Sequence, residues 1–253
     1  MTNGPPGADW RRAEAYAELL VCDRRAFAWE WLRRSPVYRE LWAVRDRLPD
    51  GACAALGLLG WIEPSLTAPA APPIWSVDTD PGVLDGRPVS PNEIADDLFD
   101  IRDLAPFVTV EIDKTHTEHW LLSDGHWTVR LDLHDGTLLG GPVFLEHRSW
   151  GIRSAGRKLD ALRQLLSLAK HGEMPVSLCP RERRAAQWIL ELRVADALIE
   201  STTQHEIART LFPDSVAPRR WRLESASYRL RVQRLVRIAR RRLADPLAGP
   251  WFD

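Results

Sequence analysis

Apolar residues recur at helical spacing near the start of the chain. After Asp9, an N-cap residue type, come Trp10, Tyr16, Leu19 and Leu20, which predict a first helix. A second helix is expected from Asp23 through Phe27, Trp31 and Leu32, and Pro36 must interrupt or restart it. Tyr38, Leu41, Trp42 and Val44 continue a third. Between 107 and 145 the period changes to two. Val108, Val110 and Ile112 alternate with Thr109, Glu111 and Asp113, and Trp127, Val129, Leu131 and Leu133 with Thr128, Arg130 and Asp132. Asp124-Gly125 and Asp135-Gly136 are hairpin signals. The expected strands are 107–112, 118–122, 126–133 and 137–145, in one small antiparallel sheet.

From Leu159 the helical period returns. Leu159, Leu162, Leu165, Leu166 and Ala169 form one stripe, closed by Gly172 and Pro175. A helix from Pro180 would bury Ala185, Trp188, Ile189, Leu192, Ala195 and Ile199. Thr203-Gln204-His205-Glu206 is a capping box that starts a short helix with Ile207, Ala208 and Leu211 inside. Pro213-Asp214-Ser215 makes a turn, and Pro218 opens a last helix that runs to about Leu243. A short helix, a turn and a basic helix make a helix-turn-helix, here at 203–231.

Pro64, Pro69, Pro72, Pro73, Pro81, Pro88 and Pro91 exclude a long helix over 64–91. The expected organisation is a helical module at 1–63, a proline-rich linker at 64–91, a sheet at 92–150 and a helix-turn-helix domain at 151–253. A short strand is expected at Ile74 to Val77. The fold class is α+β.

The chain has 253 residues, enough for one large or two small domains. Its longest charge-free apolar stretch, 51–62, falls short of the ~18 residues that cross a bilayer. The N-terminus carries no secretory pattern. Cys22, Cys53 and Cys179 give neither a disulfide framework nor a zinc spacing, so a reducing cytoplasm is expected. Tryptophan is abundant, at 12 residues, and each indole needs a pocket or a partner surface. The net charge of -1 hides an asymmetry. Residues 151–253 hold 20 Lys/Arg against 11 Asp/Glu, and residues 1–150 hold 14 against 24. The acidic excess lies in 68–150, which raises the idea that the sheet covers the basic helix.

Arg219 to Arg242 contains ten arginines and one acid, Glu224. A solvated helix interleaves both signs, whereas a single sign calls for an anion, and phosphate backbone is the obvious one. Trp221, Ser225, Tyr228, Val232, Leu235, Val236, Ala239 and Leu243 share one side, with Arg219, Arg222, Arg229, Arg231, Arg234, Arg237, Arg240 and Arg241 outside it. Residues 218–230 are the expected recognition segment, because Leu223, Ala226 and Ser227 between arginines allow close approach to base edges. The candidate DNA contacts are Gln204, His205, Arg219, Arg220, Arg222, Leu223, Ser227, Arg229, Leu230 and Arg234. Leu223 and Leu230 on the basic face equally suit a protein interface.

Enzyme signals are weak. His116, His119, His126 and His134 crowd the sheet without a His-x-Glu or Cys-x-x-Cys motif, and read as exposed strand and turn residues. Gly140-Gly141-Pro142 marks a bulge or strand edge, and no nucleophile elbow is present. No catalytic residue, cofactor or metal is expected.

The run from Leu162 to Leu243 resembles the C-terminal helix-turn-helix-variant domain of regulators carried by bacterial integrative and conjugative elements. The matching features are His171-Gly172, Cys179-Pro180-Arg181-Glu182-Arg183-Arg184, Trp188-Ile189-Leu190, Gln204-His205-Glu206-Ile207-Ala208 and Arg229 to Arg237. Asp9-Trp10-Arg11 and Tyr38-Arg39-Glu40-Leu41-Trp42 are similar to the N-terminal module of the FseA-type activators. The short QseM-type antiactivators consist mainly of the C-terminal domain. The resemblance implies a transcriptional activator of element excision and transfer, with double-stranded DNA, RNA polymerase and an antiactivator as partners, and the helix-turn-helix adds the expectation of a homodimer on paired half-sites. The alternative is an antiactivator that sequesters a related regulator without touching DNA.

Overall fold

The computed structural model describes residues 9–89, 97–179, 181–213 and 226–253. The fold is α+β. The described residues open with a turn at Asp9, whose Oδ1 accepts from Arg11 N at 3.1 Å. The first helix is therefore not capped by Asp9. It is a 3-10 helix that begins four residues later and covers Ala13–Leu20. Helix α1 spans Arg24–Leu32, with Asp23 Oδ1 accepting from Ala26 N at 3.1 Å. Pro36 restarts the chain as the first residue of α2, Pro36–Ala43, where its missing N–H costs nothing. The expected strand at Ile74 to Val77 is a single bridge between Leu58 and Trp75.

The sheet has five strands: β1 Leu84–Val89, β2 Val108–Ile112, β3 Glu118–Ser123, β4 Thr128–Leu133 and β5 Phe144–Arg148. Their order is β2-β3-β4-β1-β5. The expectation of an antiparallel sheet needs correction, because β1 pairs parallel to β4 through Leu84↔Leu131 to Gly86↔Leu133. It also pairs antiparallel to β5, so Asp135-Gly136 does not close a hairpin and β1 lies between the strands on either side of it. The last strand lies later than expected, and residues 84–89 of the proline-rich segment are a strand. Pro88 is tolerated because β1 runs past β4 beyond Gly86, so Pro88 faces only β5.

Four α-helices follow among the described residues: α3 Ile152–His171, α4 Ala185–Ile199, α5 Gln204–Leu211 and α6 Ala226–Ala244. Gly172, at φ 69°, ends α3 in the left-handed region. Pro180, the expected start of α4, lies outside the described residues. Thr203 caps α5, its side chain accepting from Glu206 N at 3.2 Å.

Two apolar cores result. One packs Leu84, Leu131, Leu133 and Trp120 of the sheet against Ala161, Leu165 and Leu168 of α3. The other joins Trp10, Phe27, Trp29 and Trp31 to Trp188, Leu192 and Ala195 of α4, to Val232 and Leu235 of α6, and to Trp251. Most of the tryptophans are thus core, and the surface on which the N-terminal helices dock is this chain's own C-terminal helices. Ile62, Ala68 and Ala71 are drawn in as well. Trp29 Nε1 donates to Leu66 O at 2.9 Å, and Ala68 N donates to Glu30 Oε1 at 2.8 Å.

A buried ionic network crosses this core. Arg34 donates from Nε and Nη2 to the two Asp196 oxygens at 2.7 and 2.8 Å, and Tyr16 donates its hydroxyl to Asp196 at 2.6 Å. Glu30 accepts from Arg34 and, at 2.8 Å, from Arg33. Burial pushes the Glu30 carboxyl up, but Arg34 and Arg33 outweigh it and hold it below its ordinary value. Two acids and two bases thereby neutralise one another between α1 and α4. The same α4 reaches α6 through Glu191, which accepts from Arg242.

Candidate nucleic-acid interface

Helix α6 has a buried face and an outer face. Val232, Leu235, Val236 and Ala239 are buried against α4 and α5. Each such aliphatic larger than Ala contributes about 1.5–3 kcal/mol of burial, which fixes the rotation of the helix. Opposite them at ~100° per residue lie Ser227, Leu230, Arg234, Arg237 and Arg241, spaced by alternating threes and fours. All five are exposed, and Arg231 and Arg240 are exposed beside them. The stretch Ala226–Ala244 contains no acid. Among the described residues, Arg234, Arg237, Arg240 and Arg241 meet no carboxylate, and no sheet carboxylate covers them.

Arg242 behaves differently. It is buried beside Glu191, with its guanidinium 4.7 Å from the centroid of the Trp251 ring and 5.4 Å from that of Trp31. Burial lowers its pKa, with Glu191 opposing. It is a packing residue and adds nothing to the outer charge.

Helix α5 lies against α6. The join is aromatic: Phe212 and Tyr228 stand 5.4 Å apart, and Arg231 stacks 4.6 Å over Phe212. Ile207 and Ala208 are fully buried, as expected for its inner face. At its N-terminus Gln204 is exposed. His205 is half-buried, with Nε2 shielded from solvent.

The candidate contacts therefore divide. Gln204, His205, Ser227, Arg229, Leu230 and Arg234 are within the described residues. Ser227, Leu230 and Arg234 share one stripe, and Arg229 is half-buried beside it. Arg219, Arg220, Arg222 and Leu223, together with the turn at Asp214-Ser215 and the helix start at Pro218, lie outside the described residues. Arg237 and Arg241 belong to the stripe but were not among the candidate contacts. The three-four spacing from Ser227 would have found them.

The histidines also need correction. His126 sits in the turn before β4 and His134 just after its end, so neither is a strand residue. His116 is in a turn, at φ 62°. His119 is buried in β3, with Nδ1 2.7 Å from Asp132 and Nε2 3.4 Å from Asp113. Burial lowers its pKa, but the two carboxylates outweigh burial and raise it. Among the described residues, no cluster of His, Cys, Asp and Glu has metal-binding geometry. No described helix is long and apolar enough to cross a membrane.

No curated protein shows significant similarity to the chain. Residues 9–56 match the family model of the proteobacterial transcriptional regulator-like domain, which covers the 3-10 helix, α1, α2 and the short turns that follow, and this match supports a role in the regulation of transcription.

Proposed function

We propose that the chain is a sequence-specific regulator that binds double-stranded DNA through the helix-turn-helix at 203–231. The observation that carries this reading is the arginine stripe of α6, which is exposed, free of acids and held in place by a buried opposite face. Arg234, Arg237 and Arg241 suit the phosphate backbone, and Ser227 and Leu230, at the start of α6, suit base edges. Arg219, Arg220, Arg222, Leu223 and Arg229 extend the contact, with Gln204 and His205 at the start of α5 beside it. The transcription-regulator module at 9–56 supports the same reading. The resemblance to FseA-type proteins adds activation of excision and transfer genes on a mobile element. RNA polymerase and an antiactivator are then the partners, and a homodimer spans paired half-sites. The work is binding, without catalysis or cofactor, in a reducing cytoplasm where the three cysteines stay free.

One observation favours a second reading. Leu230 is 50% exposed in the middle of the basic face, which suits a protein partner with acidic and apolar groups. In that reading the chain sequesters a related regulator. Selection of bound duplexes from a random library, at low and high salt, separates the two. Enrichment of one site that survives high salt is the expected result. Uniform binding that vanishes with salt, or no binding, favours the antiactivator.

A further inference from the structure

A helix that lies on one sheet needs one apolar stripe, and α3 has two. The inner stripe, Ala161, Leu165 and Leu168, is buried on the sheet. The sequence pattern places Leu159 and Leu166 in that same buried stripe, but they are 53% and 59% exposed, and Ile152 is 94% exposed. These three stand seven residues apart. Ala155 and Leu162 fall between them and Ala169 follows, so the whole series runs in steps of three and four. That is the spacing of a coiled-coil seam. Its centre lies roughly 120° around the helix from the inner stripe, and its length is about 26 Å. Leu162, half-buried against the sheet core, forms the floor between the stripes.

The flanks of the seam are basic. In heptad terms, with Ile152, Leu159 and Leu166 at position a, Arg163 and Lys170 occupy e and Lys158 occupies g. The one acid of the helix, Asp160, is already paired with Arg163 at 3.1 Å. A second copy of α3 would set these cations against their own kind in either orientation, and like charges across a seam destabilise pairing. A polyanion such as DNA would satisfy the cations but leave three large aliphatic side chains without an apolar partner.

We propose that the outer face of α3 is a docking surface for an amphipathic helix of a partner protein, one whose apolar three-four seam is flanked by Glu or Asp. The partner's aliphatic residues cover Ile152, Leu159 and Leu166, and its carboxylates meet Lys158, Arg163 and Lys170. This surface is separate from the arginine stripe of α6 and does not depend on DNA binding.

The test uses the full chain and two labelled synthetic peptides, each about three heptads long. Both carry the same Leu/Ala seam, with Glu at the flanking positions in one and Lys in the other. Fluorescence anisotropy should show the Glu peptide binding at least roughly tenfold more tightly than the Lys peptide. Leu159→Gln or Leu166→Gln should weaken it by a similar factor. The paired reversal Arg163→Glu with Lys170→Glu should move the preference to the Lys peptide. All four side chains are exposed, so the thermal midpoint should stay at the parent value. The charge reversal tests the proposal even if a leucine variant folds poorly. No binding of either peptide, equal binding of both, or indifference to the charge reversal would overturn it. So would a concentration-dependent dimer abolished by Leu159→Gln, which would assign the face to a second copy. Loss of DNA binding in the same variant would assign it to nucleic acid and equally overturn the proposal.

Discussion

Removing the Asp196 carboxylate should be among the most damaging single changes in the molecule. Asp196 accepts two hydrogen bonds from Arg34 and one from Tyr16, all buried. In Asp196→Ala the remaining acid, Glu30, must balance both Arg33 and Arg34, and one positive charge stays buried without compensation. Breaking a buried pair from one side costs about 3–5 kcal/mol. At roughly 2–4 °C per kcal/mol for a chain of this size, the thermal midpoint should fall by about 6–20 °C. The double variant Arg34→Leu with Asp196→Leu leaves Glu30 balanced by Arg33 alone. It should therefore lose far less than the sum of its single changes. Calorimetry gives the midpoints, and hydrogen exchange resolved by segment gives the location. Protection should drop in α1 and α4 while β3 and β4, in the other core, keep theirs. A loss below about 1 kcal/mol for Asp196→Ala, or additive losses in the double variant, would refute the reasoning.

Three further outcomes are expected. Gly125 sits at φ 94°, and a Cβ there would lie 2.2 Å from the Pro69 carbonyl oxygen, so Gly125→Ala should cost more than about 1 kcal/mol in urea titration. His119 has a raised pKa, so its contribution is complete below its ordinary value of 6.5 and is lost as pH rises through the folded value. The thermal midpoint of the parent should accordingly fall more steeply than that of His119→Gln as pH rises from the ordinary value of 6.5, and parallel profiles would refute this. Burial pushes the Cys22 thiol up to about 12 and the Cys179 thiol up to about 11, so both should react slowly with a thiol reagent at neutral pH until the protein is unfolded.

Strands β2 and β4 were legible because each has a two-residue alternation that no helix can share, while β3, an apolar run without alternation, was placed by the turn signal at Asp124-Gly125 that follows it; the observed limits of all three fall within two residues of those expected. Strand β1 was not, since Gly86 and Pro88 argue against a strand unless the neighbour ends before the proline, and that depends on register. Its insertion beside β4 is also what makes the sheet mixed. The inner face of α6 was readable from Val232 to Ala239, because four aliphatics fall on one side of an otherwise basic helix. The outer position of Leu159 and Leu166 was not, because both inner and outer stripes of α3 obey helical spacing, and only the sheet decides which one it covers. The ionic network was invisible for a related reason: Glu30, Arg34 and Asp196 are ordinary surface residue types, brought together across 162 residues of chain.

The most direct test of the account is the salt dependence of affinity for the selected duplex, measured for the parent, for Arg234→Ala and for Arg237→Ala. Each variant should bind more weakly and lower the slope of log affinity against log salt by about one, with its thermal midpoint unchanged. Affinity and slope identical to those of the parent in both variants would contradict the assignment of the α6 stripe to DNA.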